Sequence, residues 1–403
     1  MAEILDVNVA DPALYRDDTW QPLFARLRRA GPLHRCGDSP YGPYWSVCDY
    51  ALTEQVELDT ATYSNRAEFG GIQVQDIDKG QDRPSFLLMD PPEHTGRRRA
   101  VSPMTTNRSS LMRFSHLIRA RTAAVLDALP RGEVFDWVDL VSTELTGMML
   151  ASMFDFPQDH RRRLIEWSDI ATANLDADNP PVRTEAERFA ELQRMADAFA
   201  PLWRERVGGD GFDLMTMLAN ADATRNMDRE EFIGTLFLLI VGGNDTTRNS
   251  MTGGLLALHD NPEELEKVRA DRSLIPTMVQ EMIRYQTPVV HMRRTALADA
   301  ELAGQRIAKG DKVVLWYVSA NRDETVFPQP ERFLADRENA RRHMAFGIGI
   351  HRCVGDRLAA LQIRILWEEI LDRDMRIEVV GPGERVYSNF LRGFATLPVR
   401  IAA

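Results

Sequence analysis

Phe346-Gly347-Ile348-Gly349-Ile350-His351-Arg352-Cys353-Val354-Gly355 is the stretch on which the reading of this chain turns. Three glycines in ten residues predict a tight loop whose backbone N–H groups can point inward. An amphipathic helix follows over Asp356–Leu371, with Leu358, Leu361, Ile365 and Trp367 to Ile370 partly on one side. Cys353 therefore stands at a helix N-terminus, where the dipole and free amides favour a thiolate. The bland alternative is a buried structural cysteine beside a glycine-rich turn, but that does not ask for the whole ten-residue pattern.

Upstream, a long helix is expected from about Arg229 to Leu258. Asp228 is its N-cap, with Glu231 placed as in a capping box, and Asn261-Pro262 ends it and starts the next helix. At its middle stands Gly242-Gly243-Asn244-Asp245-Thr246-Thr247, after the apolar run Leu236 to Val241. Glycine costs roughly 1 kcal/mol relative to alanine in a helix. Asn, Asp and Thr compete there for backbone hydrogen bonds. Such a run reads as a polar notch, often kinked, inside a buried helix. A carboxylate next to a hydroxyl suits proton delivery. A kink with a satisfied polar pair is the alternative.

Two further stretches matter. In Asp90-Pro91-Pro92-Glu93-His94-Thr95-Gly96-Arg97-Arg98, His94 and Arg98 are four apart and share a helix face. Glu281 and Arg284 are three apart on a helix ending before Pro288, a spacing that on its own describes a surface salt bridge.

The Phe346–Gly355 segment resembles the haem loop of the cytochrome P-450 family, Phe-Gly-x-Gly-x-His-x-Cys-x-Gly, at every fixed position. The other motifs stand in the family's order from about Met89 onward. The resemblance implies a mainly α fold with small β-sheets, a triangular α-rich single domain over 1–403, with no fused reductase or ferredoxin domain. It implies haem b, with Cys353 as axial ligand and Phe346 and Gly347 at the cofactor. A thiolate ligand pushes electron density that favours O–O cleavage. His94, Arg98, Arg294 and His351 become contacts to the propionates. Asp245 relays protons and Thr246 supplies a hydroxyl at the oxygen groove. Glu281 and Arg284 become structural, together with Asn321, Arg322, Asp323, Arg337 and His343. Relatives often carry Arg where Gly96 stands, so the helix start there is expected to differ.

The implied reaction is insertion of one oxygen atom of O2 into a C–H bond. Val241 to Gly254, His291 to Ala296 and Arg385 to Ile401 resemble bacterial alkane and fatty-acid terminal (ω) hydroxylases. A terpenoid or steroid ring is the alternative substrate. The rival classes are a peroxide-using haem enzyme and a non-catalytic haem sensor or carrier. Expected pocket residues are Leu238, Val241, Gly242, Val289, Val290 and Met292, with Phe390 and Leu391. No glycine fingerprint for flavin or nicotinamide is present, so electrons are expected from an external ferredoxin and its reductase. Arg97, Arg99, Arg108, Arg113 and Arg119 form a basic stretch that could steer an acidic ferredoxin.

Bulk properties agree. The 403 residues carry a net charge of −11, unlike a general nucleic-acid binder. Three cysteines without a CxxC pair fit a reducing compartment, and Cys36 and Cys48 have no assigned role. Met1 to Arg16 shows no leader pattern and no apolar stretch is long enough to span a bilayer, so a cytoplasmic protein without a membrane anchor is expected. Helices are expected over Asp18–Ala30, Arg97–Leu129, Leu140–Ile170 and up to Arg206, with breaks at Ala171–Pro181 and Gly208–Gly211. Glu68–Pro84 reads as a loop. Short strands are expected within Tyr41–Val56, Lys312–Val318, Arg376–Val380 and Leu397–Ile401.

Overall fold

A computed structural model describes residues 4–77 and 83–402. Nine helices position the site: α1 (Tyr50–Leu58), α2 (Glu93–Thr106), α3 (Arg108–Asp127), α4 (Glu144–Phe154), α5 (Arg161–Thr172), α6 (Glu185–Arg206), α7 (Arg229–Asp260), α8 (Ile275–Gln286) and α9 (Asp356–Asp372). The main sheet has five strands: β1 (Leu33–Cys36), β2 (Tyr44–Val47), β3 (Tyr63–Ser64), β4 (Met292–Ala296) and β5 (Lys312–Leu315). Their order is β1-β2-β5-β4-β3, with only β2 and β5 parallel. Pro398–Ile401 lies between Val134–Asp136 and Ile377–Val379 in a three-stranded sheet. No described helix is long and apolar enough to cross a membrane.

The α7 helix is the axle. Asp228 caps it by accepting from the Glu231 N–H at 2.8 Å, but the Glu231 side chain pairs with Arg97 instead of closing a capping box. The helix runs unbroken through the polar notch. The side chains of Asn244, Asp245 and Thr246 each find a partner, which offsets their poor helix propensity. Asn244, fully buried, accepts from Thr146 at 2.8 Å and donates to Asp245 at 2.8 Å. The Thr246 hydroxyl donates to the Gly242 carbonyl at 3.1 Å. At Gly234 a Cβ would lie 2.4 Å from the Pro84 carbonyl oxygen, so bare backbone packs on the segment that leads to the cavity.

Several boundaries differ from expectation. Tyr41–Val56 holds one strand and then α1, because Asp49 accepts from the Leu52 N–H at 2.8 Å and caps a helix. The first expected helix starts at Gln21, since Asp18 sits at φ 54° and holds Arg392 at 3.0 Å. Asn107 separates α2 from α3, and a left-handed Asp155 ends α4. The Lys312–Val318 strand stops at Leu315 and gives way to a short helix, Tyr317–Ala320. Within the Glu68–Pro84 loop, residues 78–82 lie outside the described ones. Gly96 sits where α2 approaches Ala223, with only 3.2 Å left for a Cβ.

Candidate active site

The Cys353 loop and α7 face each other across one cavity, with about 1410 Å³ of space free of protein atoms, part of it open to solvent. The loop side contributes Phe346, Gly347, Cys353 and Val354, and α9 adds Leu358. The α7 side contributes Leu238, Leu239, Gly242, Gly243 and Thr246. Gly347 takes φ 63°, a left-handed conformation that favours glycine, and leaves 3.3 Å between a notional Cβ and the Tyr317 hydroxyl. The Cys353 N–H donates to the Phe346 carbonyl at 2.8 Å, closing the loop.

Cys353 comes three residues before α9, as the sequence implies. Burial nevertheless pushes its thiol up to about 11, against the Gly355 N–H and the positive charge of Arg98. A metal that binds the sulfur deprotonates it outright.

One edge of the cavity is cationic and rich in donors. Arg98, Arg294, Tyr317 and His351 line it. His94 stacks edge-on against His351 with ring centroids 4.6 Å apart. Neither His94 ring nitrogen has a hydrogen-bond partner, nor does Nδ1 of His351. Burial pushes both imidazoles down, His351 to about 2, so each presents a neutral N–H. Buried polar atoms without partners are rare and costly. These have the chemistry to meet two carboxylates, so the residues present fit a haem: Cys353 would supply a sulfur donor, and two guanidinium groups with two imidazoles would meet its propionates.

The two residues expected to handle protons are consecutive but separate in space. Thr246 lines the cavity, whereas Asp245 lies behind the helix, buried. There Arg248 donates to it at 2.9 Å and Thr172 at 3.2 Å. Arg248 also holds Asp169 at 2.8 Å, whose side chain is 43% exposed. Burial, opposed by Arg248, raises Asp245 to about 6.

Of the expected pocket residues, Leu238, Gly242, Val289 and Met292 line the cavity. Val241, Val290, Phe390 and Leu391 do not, which corrects that expectation. Val290 packs in the cluster around Trp316, its N–H bonded to the Phe390 carbonyl, and Phe390 packs on His291. Leu391 pairs with Val289 through the backbone. Asn65, Phe86, Leu87, Met153 and Leu214 line the cavity unforeseen. They come from separate segments with no pattern of their own; Phe86 and Leu87 sit on a short helix, Phe86–Leu88, just before Asp90.

Glu281 and Arg284 are fully buried, not a surface pair. Arg284 donates to both Glu281 oxygens at 2.7 and 2.8 Å and to the carbonyls of Asn321 and Pro330. Arg337 also bonds Glu281 at 3.0 Å. Arg322 donates to the Tyr285 carbonyl at 2.8 Å, Asp323 accepts from Tyr50 N–H at 2.8 Å, and His343 meets Gln280 at 3.2 Å.

Comparison with known proteins agrees with this geometry. Residues 204–374 match the family profile described as Cytochrome P450. A linalool 8-monooxygenase of Pseudomonas putida is 35% identical, over 97% of this chain and 98% of its own. A steroid C26-monooxygenase of Mycolicibacterium smegmatis is 33% identical, over 92% of this chain and 87% of its own. The solved structure of cytochrome P450-153 from Novosphingobium aromaticivorans superposes with a TM-score of 0.91 at 48% identity, covering 98% of this chain and 99% of that one. A cavity shaped for haem and similarity along nearly the whole chain lead to one conclusion: this chain belongs to the cytochrome P450 family and is a haem-dependent monooxygenase that takes its electrons from a redox partner.

Proposed function

We propose that the chain hydroxylates the terminal carbon of a medium-length alkyl chain, in an alkane or fatty acid, with Cys353 as the haem thiolate. The observation that carries this reading is the likeness to P450-153 at 48% identity, nearly end to end. The cavity's apolar lining of Phe86, Leu87, Leu238, Leu239, Val289 and Met292 supports it, since such walls desolvate a greasy chain. Bound haem supplies activation of O2. Arg98, Arg294, His94 and His351 hold its propionates. Gly242 leaves room over the cavity because it has no side chain. Thr246 presents a hydroxyl at the reacting space. Arg248 orients Asp245 and surface-reaching Asp169 by pairing with both, and Asp245 takes up protons from that solvent side and passes them to the Thr246 side of the helix.

The partner is an acidic ferredoxin. Of the basic stretch, Arg97 is engaged by Glu231, and Arg119 by Glu368 and Glu369. Arg99, Arg108 and Arg113 are exposed and make no salt bridge among the described residues. Arg99 and Arg108 lie near the cysteine loop, since Arg98 reaches the Arg352 carbonyl and Arg357 the Thr106 carbonyl, and Arg113 follows on α3. Charges so placed raise association rates in a salt-dependent way.

The names of two relatives, a linalool and a steroid monooxygenase, favour a second reading, a terpenoid or steroid substrate. An optical titration of the haem protein with fatty acids, alkanes, linear terpenoids and steroids decides between them. Saturable spectral shifts with medium alkyl chains, and product oxidised at the terminal carbon, support the first. Shifts with terpenoids or steroids only overturn it.

A further inference from the structure

Behind the cationic edge of the cavity stands a buried carboxylate that the expected site residues do not include. Glu57 is the penultimate residue of α1 and is 2% exposed. One of its oxygens takes Nη2 of Arg294 at 2.5 Å, and the other takes the Tyr317 hydroxyl. Arg294 and Tyr317 are themselves 2% and 3% exposed, and both line the cavity. The second guanidinium nitrogen of Arg294 is tied to the Arg293 carbonyl at 2.9 Å. The guanidinium plane is therefore fixed from behind on two sides. The Glu57 carbonyl also abuts Gly349, where a Cβ would come within 3.1 Å, so the end of α1 is seated on the cysteine loop itself.

Two guanidinium groups, Arg98 and Arg294, face the cavity. The propionates of haem b bring two negative charges, and Glu57 brings a third. Tyr317 donates to Glu57 and is held as a neutral phenol by burial and by that carboxylate. Glu57 thus sets a buried carboxylate directly behind the guanidinium that faces the propionate edge. A buried charge is poorly screened, so it acts on the iron more strongly than a surface charge does.

We propose that Glu57 is a positioning residue for the haem: it aims Arg294 and Tyr317 at the propionate edge and, as a buried negative charge, holds the haem reduction potential down. The inference rests on the haem reading of the cavity. An electron added to the iron meets an unfavourable local field, so reduction by the partner is held back until other changes at the haem offset it.

The test is a spectroelectrochemical titration of purified holoprotein as wild type, Glu57→Gln and Glu301→Gln; the last removes an exposed charge from a peripheral strand. Glu57→Gln is expected to raise the ferrous-to-ferric ratio at fixed ambient potential roughly tenfold, about 59 mV for a one-electron couple. Glu301→Gln leaves it in place. A purely structural Glu57 would change haem retention without moving the potential, so an unmoved midpoint in Glu57→Gln overturns the proposal. Where that variant does not keep its haem, Tyr317→Phe takes its place. It strips the hydroxyl from a carboxylate that stays charged, and the midpoint should fall; an unchanged midpoint again overturns the proposal. Failure of the haem reading is distinguishable, because wild type would then show no haem spectrum at all.

Discussion

Glu281→Gln isolates the charge of one buried network with almost no change in shape. In the native chain the carboxylate accepts from Arg284 twice, from Arg337 and from the Leu334 N–H at 3.1 Å. Both oxygens face donors, so either orientation of the new amide sets an NH2 against a guanidinium N–H. Two guanidinium groups, fully buried Arg284 and 5%-exposed Arg337, also lose their counter-charge. Breaking a buried pair from one side costs about 3–5 kcal/mol. With an unfolding entropy of about 2.1 cal/mol/K per residue, this chain's total is roughly 0.85 kcal/mol/K, and the expected loss in Tm is about 4–6 °C. Thermal unfolding of the holoprotein, followed by circular dichroism and by the haem band, measures it. The double variant Glu281→Gln/Arg284→Met should not recover, because the Asn321 and Pro330 carbonyls then lose their donor while Arg337 stays uncompensated. A single variant melting within about 1 °C of wild type, on the same scale, would refute the claim that the network is closed to water and charged.

Thr246→Ala should keep haem and substrate binding but lose coupling: oxygen consumption continues while product per electron falls, on the order of tenfold or more. Asp245→Asn should lower coupled turnover by about 10²–10⁴, with a smaller loss for Asp169→Asn; undiminished coupling in both Thr246→Ala and Asp245→Asn would favour peroxide chemistry instead. Because Asp245 is raised to about 6, its carboxyl is protonated below that pH and ionised above. Coupled turnover should therefore decline as pH climbs through about 6, and Asp245→Asn should lack this limb of the profile. Gly234→Ala should destabilise by about 1–3 kcal/mol despite its better helix propensity, since the methyl meets the Pro84 and Arg83 carbonyl oxygens; denaturant unfolding reads the sign. Charge reversal at Arg108 and Arg113 should weaken ferredoxin association and flatten its salt dependence, as measured by binding titrations at several ionic strengths.

The parts legible in the sequence were those whose chemistry is local. The Phe346–Gly355 loop declared itself because a turn, a nucleophile and a helix start are neighbours in the chain. The α7 helix was bounded almost correctly because Asp228 and Asn261-Pro262 are local signals. Tyr41–Val56 misled because aromatic and β-branched residues suggest strand, while the Asp49 cap that nucleates α1 is one residue among many. The cavity wall was only half visible: Leu238 and Gly242 belong to a recognisable helix, but Asn65, Phe86 and Leu214 are joined only by folding. Val290 was misplaced since a strand-like residue beside Val289 shows no sign of which way it faces. Glu57 left no trace because a single glutamate near the end of a helix is ordinarily a surface residue.

Successive residues on a helix are turned by about 100°, which is why Asp245 and Thr246 serve different sides of α7. Inserting or deleting one residue between Gly234 and Gly242 would rotate the notch by that angle relative to its tightly packed start. The hydroxyl would turn into the protein and another side chain would take its place over the cavity. Residues 173–184, between α5 and α6, carry no such phase constraint, because no helix transmits their length to the site. Natural length variation in this chain should therefore accumulate in that connection and be absent from the first half of α7.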